Sequence, residues 1–281
     1  MRPDLEPRFS HLRHHLGLRL ERDTQGRPAG AIPVFPQHRT RHGAVSAGVV
    51  ATLADVACGQ TAGDEGVGAA VTSHLALRLP PLGPGAGGTG PVHLRAEPRV
   101  ARAGRSAVVN VVTVTDETGA TVGVATVTFT VLNGTGGAHG AGSGPGTEGV
   151  PSVWSEAELV PLEVTTDELV GLRDRPGGAY EMDLAPHFRN VNGVLHGGAL
   201  VLFAEHVALA AAEAAGLRRP AVDDIDVHFL SAITAGPVVG TATVVGDPAD
   251  GRVTVLVDAA DEGRDGRRAG MALVGVRTRR D

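Results

Sequence analysis

The chain repeats itself, and that restricts its fold more than any other feature. Residues 34–55, VFPQHRTRHGAVSAGVVATLAD, lie over residues 184–205, LAPHFRNVNGVLHGGALVLFAE, without a gap at an offset of 150. Five of these 22 positions are identical (Pro36/Pro186, Arg39/Arg189, Gly43/Gly193, Gly48/Gly198, Ala54/Ala204), and most others exchange one aliphatic residue for another. A second gap-free window, at an offset of 147, pairs Gly104-Arg105 with Gly251-Arg252, Gly119 with Gly266, and Gly123, Ala125 and Val127 with Gly270, Ala272 and Val274. Two ordered windows imply an internal duplication in which each copy is one structural unit. The three-residue surplus of the first copy is placed in PPLGPGAGGTGP (Pro80 to Pro91), because loops absorb insertions. Between the copies, residues 133–150 hold eight glycines in 18 positions and no apolar periodicity, the composition of a flexible linker. The expected organisation is an N-terminal unit over 1–132, a linker over 133–150 and a C-terminal unit over 151–281, each of common domain size.

Within each copy the element order is the same. Pro28 to Phe35 and Gly178 to Leu184 read as short strands, followed by an irregular Arg/Asn/His/Gly segment. Gly48 to Ala62 and Gly198 to Ala215 have few polar residues and good helix formers, which predicts helices nearly surrounded by protein. Ala69 to Leu79, Val92 to Val100, Ser106 to Thr115 and Thr121 to Leu132 are Val/Thr-rich runs separated by turn residues, as strands are. One buried helix followed by four strands in meander order predicts an α+β unit, an antiparallel sheet curled around its helix.

Charge and cysteine content narrow the function classes. With Lys+Arg 25 against Asp+Glu 31 the net charge is −6, which leaves no basic footprint for nucleic acid. The single cysteine, Cys58, forms no internal disulfide and completes no thiolate metal cluster, which suits a reducing compartment. No secretory pattern opens the sequence and no apolar run approaches the roughly 20 residues that cross a bilayer, so the expectation is a cytoplasmic protein without a membrane partner.

Two acids stand in otherwise apolar helices: Asp55, nine residues after Ser46, and Glu205, nine after His196. Each lies roughly 13 Å along the axis from its own helix start, too far to share a reacting carbon with it. The helix starts themselves, glycine-rich at NVNGVLHGG (Asn190 to Gly198), leave unpaired N–H groups that suit an anion or a developing oxyanion. A joint site therefore needs the acid of one copy beside the helix start of the other, which pairing around a pseudo-twofold axis supplies.

The pattern G-x-x-H-G-G with an acid nine residues after the His resembles the PaaI-type thioesterases of the hotdog-fold superfamily, most fully in the second copy. The resemblance implies two paired hotdog units that hydrolyse an acyl-CoA thioester, aryl or of short to medium chain, at their interface. It implies that Asn190 helps to position the substrate, that His196 belongs to the catalytic helix start, that the Gly197 amide polarises the thioester carbonyl, that Asp55 acts as base or nucleophile, and that Ser73 assists as a strand hydroxyl. Gly193 and Gly198 are expected to bind the substrate. In the reciprocal site Thr40 replaces the Asn and Ser46-Ala47 replaces His-Gly, before Gly48; Glu205 is the acid, and Asp223 takes the place of the serine. A second carboxylate there is expected to raise the proton affinity of Glu205 and weaken it as a base. One working site per chain is the expectation.

Such chemistry requires neither metal nor cofactor, because a thioester is already activated and CoA is part of the substrate. Asp224, Asp226 and His228 alternate on one strand face, and the expectation is a wet face of an antiparallel sheet rather than metal ligands. Cys58 follows Asp55 by three positions and reads as a buried helical thiol. A non-catalytic acyl-CoA binding or sensing protein is the alternative from another class; a hydratase would want an Asp and a His aimed at one substrate, for which Glu205-His206 is a crude match. Exposed strand edges offer fused pairs of this kind a route to further association, such as a homodimer of chains.

Overall fold

The computed structural model describes residues 12–23, 25–64, 66–80, 92–132, 164–190 and 193–279. The expected linker at 133–150 and most of the Gly/Pro loop lie outside the described residues. The first half contains α1 (Leu12–His15), β1 (Arg19–Arg22), β2 (Pro28–Pro33), α2 (Ala47–Asp64), β3 (Ala70–Arg78), β4 (His93–Ala103), β5 (Ala107–Asp116) and β6 (Thr121–Val131). The second contains α3 (Thr166–Val170), β7 (Arg173–Arg175), β8 (Ala179–Met182), α4 (Gly197–Ala214), β9 (Pro220–Phe229), β10 (Val238–Val245), β11 (Arg252–Asp261) and β12 (Arg267–Thr278).

These strands form one antiparallel sheet in the order β1-β2-β4-β5-β6-β3-β9-β12-β11-β10-β8-β7. Read from either edge to the middle, the order is the same in both halves, so the sheet is two equivalent sets of six strands joined at β3 and β9. Ala76 pairs with Asp226, its own counterpart at the offset of 150, which places a pseudo-twofold axis at that pair. The halves are two tandem hotdog units: in each, a long helix is wrapped by its strands, as the alternation in β5 shows, where Val108, Val112 and Val114 are fully buried. The expected meander needs one correction. β4-β5-β6 is a meander, but β3 crosses over to lie beyond β6, since it must pair with β6 on one side and with β9 of the other unit on the other.

α2 and α4 pack against each other across the axis, and glycine permits it. A Cβ on Gly48 would stand 2.7 Å from the Leu202 Cα, and one on Gly198 would run into the Thr52 side chain. These two contacts are the same contact related by the twofold. α4 is long and apolar enough by composition to cross a membrane, but 78% of it is buried inside this protein, where it serves as a core helix.

A further irregularity is duplicated. The β3–β6 register shifts between Thr72 and His74, and the β9–β12 register shifts between Gly275 and Val276, leaving Ser73 and Asp223 as the equivalent unpaired residues. A bulge of this kind bends a strand and re-aims the side chains on one side of it.

Candidate active site

The twofold packing brings Asp55 of α2 to the start of α4. Its Oδ2 lies 3.4 Å from the position a Cβ on Gly197 would take, and the Phe229 ring edge lies at the same distance. Asp55 is 9% exposed, and burial pushes its carboxyl up to about 6 against the opposing effect of a hydrogen bond from the Thr72 hydroxyl to Oδ1 at 2.8 Å. That is the one hydrogen bond to this carboxylate among the described residues, so Oδ2 remains available. The two carboxylate oxygens thus have different tasks: one is held and the other is free.

The helix start that Asp55 faces is partly open. His196 is the N-cap of α4, and its Nδ1 accepts the Gly198 N–H at 3.0 Å. An accepting Nδ1 carries no proton, so a neutral ring has its hydrogen on Nε2. Gly197, the first helical residue, is half-buried, and its N–H donates no hydrogen bond among the described residues, as the first turn of a helix permits. Asn190 shapes the approach to this helix: its carbonyl accepts the Gly193 N–H at 2.9 Å and its Oδ1 accepts the Val194 N–H at 3.3 Å. Gly193 has φ +74°, the left-handed turn conformation that glycine adopts without strain.

The reciprocal start is closed. Glu205 of α4 is 1% exposed, and its two oxygens accept the N–H groups of Ala47 at 2.8 Å and Gly48 at 2.9 Å, with the Ser46 hydroxyl on the second. Burial raises its carboxyl, opposed by His206, by Ser46 and by the two amides. Ser46 and Ala47 are fully buried. Glutamate is one methylene longer than aspartate, and here the side chain reaches into the amide cradle that a substrate oxygen would need.

Four of the sequence expectations are corrected. The hydroxyl on Asp55 is that of Thr72, whereas Ser73 donates to the Thr128 carbonyl at 3.2 Å. The cause is the bulge: alternation counted back from Leu75 and Leu77 points Ser73 inward, and the extra residue passes that orientation to Thr72. Asp223, at the equivalent bulge, does not act on Glu205; its Oδ2 lies 3.4 Å from the Arg252 guanidinium and 4.0 Å from that of Arg277. Its inward neighbour, the counterpart of Thr72, is Val222, which offers Glu205 no hydroxyl. Gly198 and Gly48 are not free to contact substrate along their α-carbons, which face Thr52 and Leu202. Thr72 and Phe229 are site residues that sequence reasoning missed. Cys58 is buried, and both burial and the nearby Asp55 charge hold its thiol well above the ordinary range, so it is unreactive.

Residues 192–246, which include this helix start, α4 and β9, match the family described as "Thioesterase superfamily". Solved structures share the fold over nearly the whole chain. The tesB protein of Mycobacterium avium subsp. paratuberculosis is 14% identical with a TM-score of 0.62, covering 96% of this chain and 100% of its own. An acyl-CoA thioesterase II, TesB2, of Mycobacterium marinum is 15% identical with a TM-score of 0.59, covering 96% and 98%. A hotdog-fold protein of unknown function from Alicyclobacillus acidocaldarius is 15% identical with a TM-score of 0.52, covering 94% and 96%. No curated protein matches the chain in sequence. The fold is that of tandem hotdog proteins, and the segment similar to the thioesterase-superfamily model lies in the second copy.

Proposed function

We propose that this protein is a thioester hydrolase of the PaaI-like kind, acting on acyl-CoA at one composite site per chain. The observation that carries the reading is the unequal fate of two equivalent acids: Asp55 keeps a free oxygen beside the half-open Gly197, while Glu205 fills the matching place at Ala47 and Gly48. Asp55 Oδ2 either takes a proton from the attacking water or attacks the thioester carbonyl itself. The unpaired Gly197 N–H, at the positive end of α4, receives the negative charge that develops on the carbonyl oxygen. Collapse expels the CoA thiolate; in the general-base route the proton held by Asp55 returns to it, and in the nucleophilic route a water then hydrolyses the mixed anhydride left on Asp55, releasing the acid, freeing the carboxylate and supplying the thiolate's proton. A carboxyl raised to about 6 is mostly ionised at neutral pH and is still a better proton acceptor than an ordinary aspartate.

His196 shapes the helix start and Thr72 orients Asp55; both are positioning residues. No metal or cofactor takes part in this scheme. The remaining elements of the proposal are domains at 1–132 and 151–281 joined by 133–150, a cytoplasmic location and association of chains into homodimers. The test is thiol release from short, medium and aromatic acyl-CoAs by the purified protein. Turnover supports the hydrolase, whereas tight binding of the same esters without thiol release would turn the assignment to an acyl-CoA binding protein.

A further inference from the structure

On the face of the sheet away from the helices, His74 of β3 meets Asp226 and His228 of β9, and their ligating atoms all lie within 4.8 Å of one another. His74 and His228 are directly opposite each other across the seam between the two units, with ring centroids 4.7 Å apart. Both Nε2 atoms turn to the same carboxylate oxygen: His74 Nε2 is 2.7 Å from Asp226 Oδ1, and His228 Nε2 is 3.7 Å from it. One oxygen thus draws two imidazoles, of which only the first is at hydrogen-bonding distance. The His228 ring makes no hydrogen bond among the described residues. We propose that His74, Asp226 and His228 bind a divalent transition-metal ion of the zinc class.

The donor set is that of zinc, two imidazoles and one carboxylate oxygen, with the fourth position left to water because all three side chains are partly exposed. Bonds of about 2.0–2.1 Å in a tetrahedron place ligand atoms about 3.3 Å apart. The His228–Asp226 distance is near that value, and the His74–Asp226 distance needs to open by about half an ångström. Surrounding charges are already assigned: Arg78 lies 3.9 Å from the other oxygen, Oδ2, which leaves Oδ1 as the single carboxylate ligand. Asp224, the third polar residue on this strand face, is held by Arg252 at 2.9 Å. The duplication lends the cluster no counterpart, since the twofold mates of His74, Asp226 and His228 are Asp224, Ala76 and Arg78. An ion here would bridge β3 to β9 and hold the two units at the seam, and it acts independently of the proposed hydrolysis.

Zinc chloride is the probe. Protein dialysed against EDTA, then freed of it, is titrated calorimetrically and its melting followed with and without zinc, beside His74→Gln, His228→Gln and Asp226→Asn. The expected result is one equivalent per chain in the wild type with a higher Tm in zinc, and binding at least tenfold weaker with no zinc-dependent Tm in each variant. Melting without zinc reports whether each variant is folded. Cobalt substitution adds a signature that a surface ion pair cannot give, a visible absorption band of tetrahedral intensity. Absence of stoichiometric binding to the wild type overturns the proposal, and so does equal binding by the variants, which would place the ion at other histidines.

Discussion

The Glu205 carboxylate accepts the Gly48 N–H at 2.9 Å, so one half of the chain caps the central helix of the other. A glutamine offers a single acceptor oxygen, and its amide nitrogen would face either the Ala47 or the Gly48 donor. Glu205→Gln is therefore expected to lower stability by about 1–3 kcal/mol, the cost of a buried donor left unpaired. Urea denaturation at neutral pH measures it.

Asp55 accepts no backbone N–H among the described residues, so its ionisation rather than its hydrogen bonding sets the response to substitution. Its folded pKa is raised to about 6, so between the value of a free aspartate, about 4, and that point the folded state binds the extra proton. Stability from this group is full below about pH 4 and is lost as pH rises through about 6. Asp55→Asn is expected to raise stability at pH 8 by up to about 3 kcal/mol and to change it little at pH 4. Thermal melting at the two pH values tests this, and an equal effect at both would contradict it.

The same ionisation should govern turnover. A carboxylate that acts as base or nucleophile must be deprotonated, so kcat/KM is expected to fall on acidification with a midpoint near pH 6. Thr72→Val removes the hydroxyl that favours the ionised form and should move that midpoint upward, while Ser73→Ala should leave it in place. A pH profile of thiol release for the three proteins separates the two hydroxyls.

Gly198→Ala and Gly48→Ala should each destabilise the fold by about 1–3 kcal/mol or more, since the added methyl meets Thr52 in one case and the Leu202 backbone in the other. Gly59→Ala is the control: a Cβ there meets nothing within 4 Å, and a helical Ala over Gly gains up to about 1 kcal/mol. Denaturation midpoints for the three variants check the contrast.

Much of this arrangement was legible in the sequence because duplication supplies an internal alignment. Asp55 and Glu205 marked each other as equivalent, and the distance along each helix required their partners to lie in the other copy. Helix and strand limits followed from composition, with α2 expected from Gly48 and found from Ala47. What was not legible depends on backbone register. A bulge at Ser73 and Asp223 carries no sequence signal of its own, yet it decides whether Ser73 or Thr72 reaches Asp55 and turns Asp223 to Arg252. The crossover of β3 is a second such case, because local patterning names strands but not their neighbours. The reach of Glu205 into its amide cradle turned on a single methylene, and His74 joined Asp226 and His228 only through the β3–β9 pairing.

The most direct test of the central claim is the kcat for thiol release of Asp55→Asn beside that of Glu205→Gln, on the acyl-CoA the wild type hydrolyses fastest. A single site built from Asp55 and Gly197 predicts a loss of about 10²–10⁴-fold in the first and retention of most activity in the second. Comparable losses in both, or an Asp55→Asn protein that still turns over, would contradict it.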